Sequence, residues 1–276
     1  MTLQLMPASQ YTIEELAGIY NQTRVDYLIP MPMNGERLAE YVHDFDIDLD
    51  LSMVALMNGN VAGLGMLGVR GDECWVTRLG VLPNNRRVGI GENIVRKMLE
   101  ISKTKGTKRV NLEVINGNEK AGSLFKKLGF QKTMEYLVLR RAPGHSDVEI
   151  DGQFTPLEKG EALDLLRASP RQSWVNDVRS MSNAADMMGM RLAMGDGSRG
   201  WMLFRKKAPT LTHIILHTEH GDSEVVGHNL LQHLHSTHSR FDTYAENIAS
   251  TDKHVPAFLS MGYFEAFRRT EMILDL

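Results

Sequence analysis

The sequence predicts an α/β (α+β) protein of two tandem domains of one design, each a mixed, mostly antiparallel sheet flanked by helices. Three observations carry this. The chain has 276 residues, long for one compact core when domains usually hold roughly 100–200 residues. Apolar runs of strand length alternate with helical patterns. The closing order of strand, helix, strand, helix, strand in the second half matches that of the first, an internal repeat at domain scale.

Taken in order, Tyr11–Asn21 opens polar and repeats apolar residues at helical spacing, with Thr12 and Glu15 as a capping box. In the loop that follows, Pro30 and Pro32 exclude regular helix. Arg37–Phe45 reads as a second short helix. Leu51–Met57 and Val61–Val69 are strands joined by Asn58-Gly59-Asn60, a hairpin turn. A strand over Glu73–Leu82 follows the turn at Gly71-Asp72. Then come helix Gly89–Lys103, strand Arg109–Ile115, helix Asn118–Leu128 and strand Phe130–Arg140. Ala142–Gly152 is polar and rich in turn formers, which places a linker at 142–152 between domains at 1–141 and 153–276. The second half reads as helices Lys159–Ala168 and Gln172–Met181, a stretch without clear pattern, and strands Gly200–Lys206 and Leu211–His217. Helix Glu224–His235, strand Arg240–Asn247, helix Asp252–Met261 and strand Tyr263–Leu274 close it.

The 31 basic and 34 acidic side chains give a net charge of -3. That argues against bulk nucleic-acid binding, which needs a cationic surplus. Cys74 is the only cysteine, so an intrachain disulfide and a Cys-rich zinc site are excluded. The amino-terminal stretch has neither a basic leader nor an apolar core, and no apolar run reaches the roughly 18 residues of a membrane span. The expectation is a cytoplasmic protein without a membrane partner; nothing in the sequence sets its oligomeric state.

The informative stretch is Arg78–Glu92, where a strand runs through Leu79, Gly80 and Val81 into a turn, and a helix starts at Gly89-Ile90-Gly91. The first amides of a helix lack internal partners, and the dipole adds about half a positive charge there. Such an end suits a phosphate or pyrophosphate. Glycines let the backbone come close, and Arg86 and Arg87 add forked donors. An isolated Gly-x-Gly with solvated arginines is also what a plain helix start shows. No Lys-Ser/Thr follows the glycines, which excludes a P-loop, and the third glycine of a dinucleotide fingerprint is absent.

Arg86-Arg87-Val88-Gly89-Ile90-Gly91 resembles the R/Q-x-x-G-x-G/A motif of the GNAT acetyltransferase superfamily. Leu112-Glu113-Val114, Asn118-Glu119-Lys120-Ala121 and Leu124-Phe125 to Leu128-Gly129-Phe130 resemble its second signature. The resemblance covers roughly residues 1–141 and makes the whole chain two tandem GNAT-like domains. It implies acetyl-CoA as acetyl donor and an amine as acceptor, with direct attack of the amine on the thioester. It also implies that the strand ending at Val81 splays from the one ending at Ile115, with the pantetheine arm between them. Backbone groups of Leu79, Gly80 and Val81 would meet that arm. Amides from Val88 through Gly89, Ile90 and Gly91 to Glu92, with Arg86 and Arg87, would hold the pyrophosphate, and Asn118 and Phe125 would lie beside the thioester and arm. The loop Arg24–Met33 is where the family commonly shapes its acceptor pocket, so Tyr27, Leu28, Ile29, Met31 and Met33 would supply apolar lining and Asp26 would face an ammonium group; the alternative is a loop packed over the sheet edge.

The pattern departs from the family at both proton-transfer positions. Trp75 stands where many relatives carry a glutamate base, leaving Glu73 as a candidate base acting through water. Phe125 stands where relatives carry an acidic tyrosine, so no acid carries over; Tyr136 and Ser123 are the alternatives. Cys74 has no sequence-placed partner for nucleophilic catalysis. These gaps keep a second class open, a non-catalytic acyl-CoA-binding sensor. In the second half, setting His217 against Val81 puts Asp222 at the position of Arg86 and Val225 at that of Gly89, so one functional coenzyme site per chain is expected. The seven histidines between His213 and His238 include no H-E-x-x-H, and no metal site is assigned.

Overall fold

A computed structural model describes residues 2–144 and 151–276. In chain order the elements are β1 (Leu3–Pro7), α1 (Ile13–Gln22), α2 (Gly35–Asp44), β2 (Met53–Met57), β3 (Asn60–Arg70), β4 (Glu73–Val81), α3 (Ile90–Thr104), β5 (Arg109–Ile115), α4 (Glu119–Lys127) and β6 (Gln131–Arg141). They continue with β7 (Gln153–Leu157), α5 (Lys159–Ala168), α6 (Val178–Asn183), β8 (Met187–Ala193), β9 (Arg199–Lys207), β10 (Thr210–His220), α7 (Ser223–Thr237), β11 (Asp242–Ala249), α8 (Val255–Ser260) and β12 (Phe264–Asp275). Compact units form from Met1–Thr133 with Thr270–Leu276, and from Met134–Arg269.

In the first unit the strands run in the order β1-β2-β3-β4-β5-β12. All but one of the registered pairs are antiparallel; β4 and β5 are parallel. The capping box at Thr12 and Glu15 starts α1 as the sequence predicts. Asn58 and Gly59 both take positive φ, the turn that matches the twist of the β2–β3 hairpin. Helix α3 lays Ile90, Ile94, Val95 and Met98 on one sheet face, in a core with Val76, Leu112, Phe125 and Met272. The opposite face takes Leu16, Tyr20, Leu38 and Tyr41 of α1 and α2, all buried.

The second unit repeats the plan in the order β6-β11-β10-β9-β8-β7, again with a single parallel pair, β10 and β11. Its core gathers Leu230, Leu231 and Leu234 of α7 with Leu216, Ala245 and Phe258.

The structure differs from the sequence expectation in three places. The carboxy-terminal strand does not stay with the second half. Leu276 donates to the Lys108 carbonyl at 2.9 Å, Asp275 pairs with Arg109 at 3.0 Å, and Met272 is buried with the first unit's core. Alternating Met272 and Leu274 need an apolar face and an open edge, and β5 supplies both. Reciprocally, β6 from Tyr136 to Arg141 pairs with β11, so the chain halves and the compact units do not coincide. Of the linker placed at 142–152, residues 145–150 lie outside the described residues. The unpatterned stretch after Met187 is strand β8, and β1 and β7 complete the sheets; short Met- and Gly-rich strands carry little period-two signal. The helix expected over Gln172–Met181 starts only at Val178, where the Asp177 carboxylate accepts from the amides of Arg179 and Ser180.

One buried histidine makes the second unit pH-sensitive. His235 is fully enclosed with its Nε2 2.9 Å from the Tyr263 hydroxyl, and burial, with Arg141 adding to it, pushes its pKa down to about 3. An unfolded chain binds a proton there below pH 6.5 while the folded chain does not, so stability falls as pH drops through that window, by up to about 1.4 kcal/mol per pH unit. Urea unfolding at pH 6.5 and pH 5 is expected to show up to about 2 kcal/mol more loss for the wild type than for His235→Gln; equal losses would remove His235 from the account.

Candidate functional site

Strand β4 is irregular at its functional end. Against β3 it pairs Thr77 with Met66 and Gly80 with Leu64, so three steps on β4 oppose two on β3. The surplus residue is a β-bulge at Arg78, whose φ is +52°. The bulge puts Thr77 and Arg78 on the same face. The Thr77 hydroxyl bonds that of Tyr41 at 2.6 Å, and the Arg78 guanidinium lies 4.2 Å from the Tyr41 ring centre. Beside it, β4 and β5 pair in parallel over Glu73–Trp75 and Arg109–Asn111. Beyond Trp75 and Asn111 no pair is registered between them, and the backbone groups of Val76–Val81 that would continue the ladder face the gap.

The turn after β4 delivers the glycines. Gly89 is the N-cap of α3 at φ +85°, a conformation a side chain resists, and no side chain caps the helix. The amides of Ile90, Gly91 and Glu92 are therefore left for an external acceptor. A Cβ on Gly91 would sit 3.6 Å from Val81 Cγ2 and 3.8 Å from Leu124 Cδ2, so this turn lies close to both the strand end and α4. Arg87 is exposed with φ +68°, and Val88 beside it is exposed. The Glu92 carboxylate would repel an anion, but Lys127 at 2.7 Å and Arg96 at 2.8 Å hold it, and their hydrogen bonds keep its pKa low.

The segment after α1 is fastened to both motifs. Arg86 donates to Asp26 through both terminal nitrogens, at 2.6 and 2.7 Å, and also to the carbonyls of Val81 and Thr23. Its guanidinium holds the Asp26 carboxyl below the usual range. Arg24 donates to the Leu79 carbonyl at 3.0 Å and stacks 3.9 Å from the Tyr27 ring centre. Tyr27 accepts from the Asn118 amide at 3.3 Å, and the other end of that amide caps α4 at Ala121. Asn21 clasps the backbone of Met33 through both halves of its amide, and Met31 Sδ lies 3.9 Å from Arg78 Nη1. Asp26 thus stands against Arg86 rather than open to an ammonium group. Gly80 makes the packing possible, because a Cβ there would lie 2.3 Å from Thr23 Oγ1.

Other sequence-chosen residues lie apart from this cluster. Glu73 begins β4, eight positions before Val81 and so about 26 Å away along a regular strand; its neighbours are Arg109, at 3.9 Å, and the β3–β4 turn. Phe125 is buried edge-on to Phe130 at 5.7 Å, inside the core that Leu79 and Val81 border. Cys74 is buried against the Thr107 hydroxyl. Sequence reasoning passed over Glu113, whose carboxylate accepts from Trp75 Nε1 at 2.7 Å. Trp75 packs on Tyr41 and Phe45, so Glu113 belongs to the same sheet face as Tyr41 and Arg78. Burial pushes the Tyr41 hydroxyl up to about 12 despite Arg78, and Glu113 adds to that rise. The signal was Trp75 itself: an indole at the relatives' base position needs an acceptor, and the parallel neighbour strand supplies one.

Residues 17–130 match the acetyltransferase (GNAT) family. That stretch of the chain is a GNAT family domain. A Bacillus subtilis (strain 168) protein provisionally named as a ribosomal protein bS18-alanine N-acetyltransferase is 32% identical over 79 residues, 29% of this chain and 52% of that one. Mouse thialysine N-epsilon-acetyltransferase is 35% identical over 65 residues, 24% of this chain and 38% of its own length. The chain thus spans about half or less of these relatives. Over the whole length, a tandem GNAT protein from the clavulanic acid biosynthesis pathway superposes with a TM-score of 0.67 at 13% identity, covering 99% of this chain and 98% of that one. A GCN5-related N-acetyltransferase from Sphaerobacter thermophilus gives 0.71 at 15% identity, covering 99% and 95%. At such identities these two establish the tandem fold.

The second unit carries the same bulge, with His213 at φ +51° where two residues of β10, His213 and Ile214, oppose one of β9, Phe204, and a parallel pair that ends at Leu211 and Thr243. Bulge for bulge, Leu216 rather than His217 corresponds to Val81. Asp222 falls at the N-cap of α7, the place of Gly89 and not that of Arg86. Its carboxylate accepts from the amides of Glu224 and Val225 at 2.8 and 3.1 Å. The first amides of α7 are thus occupied from within. Among the described residues no three His, Cys, Asp or Glu side chains gather as a metal site, and no helix is long and apolar enough to cross a membrane.

Gly80→Ala is expected to lower stability by about 1–3 kcal/mol through overpacking against Thr23, with partial recovery when Thr23→Gly is added. Thermal unfolding of both variants checks this; an unchanged melting temperature for Gly80→Ala would mean the contact yields freely.

Proposed function

We propose that the first unit, in the reach of residues 1–141, is an acetyl-CoA-dependent N-acetyltransferase domain, and that the second, within 153–276, is a GNAT-like unit without coenzyme binding. The observation that carries this is the contrast of helix starts: α3 begins at a left-handed glycine with free amides, while α7 begins at an aspartate that fills its own. The first-unit residues suit the coenzyme. Amides of Val88–Glu92 and the side chain of Arg87 would take the pyrophosphate, and the edge of β4 at Leu79–Val81, beyond the end of the β5 ladder, would take the arm chiefly through its amides, since the Leu79 and Val81 carbonyls accept from Arg24 and Arg86. Arg86 would serve the phosphates only by leaving Asp26. The N-acetyltransferase names of the curated relatives support the reaction class.

Bound there, acetyl-CoA supplies an activated acetyl thioester. The chain's own task is to bring a neutral amine to it and take a proton away. Glu113, whose carboxylate is oriented by Trp75, would take the proton. The backbone at Val81 offers an amide where negative charge develops on the acetyl oxygen. No side chain near the gap is assigned as acid, since a thiolate leaves without one. Asp26, Tyr27, Met31 and Met33 would border the acceptor, with Tyr27 and Met31 beside Asn118 and Arg78.

Calorimetric titration with acetyl-CoA is expected to give one site per chain, and Arg86→Ala with Gly89→Glu to abolish it while circular dichroism stays unchanged. No heat with the wild type would overturn the reading. Glu113→Gln should leave coenzyme affinity within about twofold and lower kcat by about 10²- to 10⁴-fold, with loss of the acidic limb of the pH–rate profile. An unaltered profile would assign the base elsewhere, and coenzyme binding without turnover on a broad amine panel would favour a sensor.

A further inference from the structure

We infer that the acceptor amine carries a carboxylate of its own, as free amino acids do, and that Arg24 is the residue that selects it; the inference rests on the acetyl-transfer reading of the first unit. Arg24 sits where the reaction would occur. Its Nη2 donates to the carbonyl of Leu79, the first of the strand residues proposed to border the thioester arm. Tyr27 lies 3.9 Å and Tyr20 5.2 Å, centre to centre, from its guanidinium carbon, so the group is held flat and cannot swing to solvent.

Its charge, however, is unanswered. Arg70, Arg86, Arg96 and Arg109 each meet a carboxylate. Arg24 meets none among the described residues, and its Nε is buried without a hydrogen-bond partner. A fixed, partly buried guanidinium with an unmet donor calls for an oxyanion. The surroundings add to the call. Arg78 approaches the same Tyr20 ring, at 5.4 Å, brought there by the left-handed bulge of β4. Two guanidinium groups at one ring repel each other, and an anion beside Arg24 would ease that repulsion.

The opposite charge has its own place. Asp26 is committed to Arg86, and the carboxylate of Glu113, which accepts from Trp75, lies on the Tyr41 and Trp75 side of the same face. The face is dipolar: cationic toward Arg24, anionic toward Glu113. A molecule with an amine and a carboxylate matches both ends, whereas a diamine would place a second cation against Arg24.

The test is an acceptor panel in matched pairs: lysine against cadaverine, ornithine against putrescine, glycine against methylamine, each also as the amino-acid amide. For the wild type, the carboxylate member of at least one pair is expected to show a kcat/KM at least tenfold higher, carried by KM. In Arg24→Gln that preference should shrink to within about twofold while kcat changes little, and Arg24→Lys should restore part of it. Calorimetry with acetyl-CoA on the same variants should give affinities within twofold of the wild type. Equal use of amines and amino acids by the wild type, or a preference that survives Arg24→Gln, overturns the inference. So does a loss confined to coenzyme affinity, which would make Arg24 a coenzyme ligand. Should no coenzyme bind at all, the acetyl-transfer reading fails by itself; thermal shift with N-acetyl amino acids against N-acetyl amines, in wild type and Arg24→Gln, then decides the anion site separately.

Discussion

Between Met66 and Leu64 of β3, strand β4 passes two residues, Arg78 and Leu79, where one would keep register, and the surplus is absorbed at Arg78. That single irregularity fixes most of what surrounds it. It turns two consecutive side chains, Thr77 and Arg78, toward α1 and α2, where Tyr41 and Tyr20 receive them. It coincides with the stretch of β4 that leaves the β5 ladder. It also sets the phase in which Gly80 meets Thr23, which in turn sets where Arg24 and Asp26 can reach. A regular β4 would continue its pairing, close the gap and point Arg78 into the apolar core under α3.

The two units share a backbone plan and differ in how the helix after the bulged strand is capped. Both have the bulge and the shortened parallel pair. They part at one residue, the helix N-cap. A left-handed Gly89 leaves the first amides of α3 unclaimed; Asp222, at φ -81°, turns its carboxylate onto those of α7. The second arrangement stabilises its helix by about 0.5–2 kcal/mol over an uncapped start, and closes the terminus to phosphate. A capped helix start and one with open amides are alternatives at a single position.

Much of this was legible in the chain because the determinants are local. The Thr12–Glu15 capping box, the Asn58-Gly59 hairpin and the glycines before α3 each act within a few residues, and each forms where the sequence places it. What the sequence did not show depends on partners far along the chain. A bulge exists only relative to the register of β3. Glu113 acquires meaning through Trp75, 38 positions earlier, and Arg86 through Asp26, 60 positions earlier. The β12 exchange could not be read from the alternation of Met272 and Leu274, which fits any open apolar edge. Setting His217 against Val81 slipped by one because the bulge residue, His213, has no sequence signature.

Hydrogen exchange with and without acetyl-CoA tests the central claim most directly, since it reads every backbone amide in one sample. The account predicts slowed exchange over residues 79–92 and in the start of α4, with no change over residues 214–226. Protection of the β10–α7 segment, or none at the β4–α3 turn while the coenzyme is bound, would contradict it.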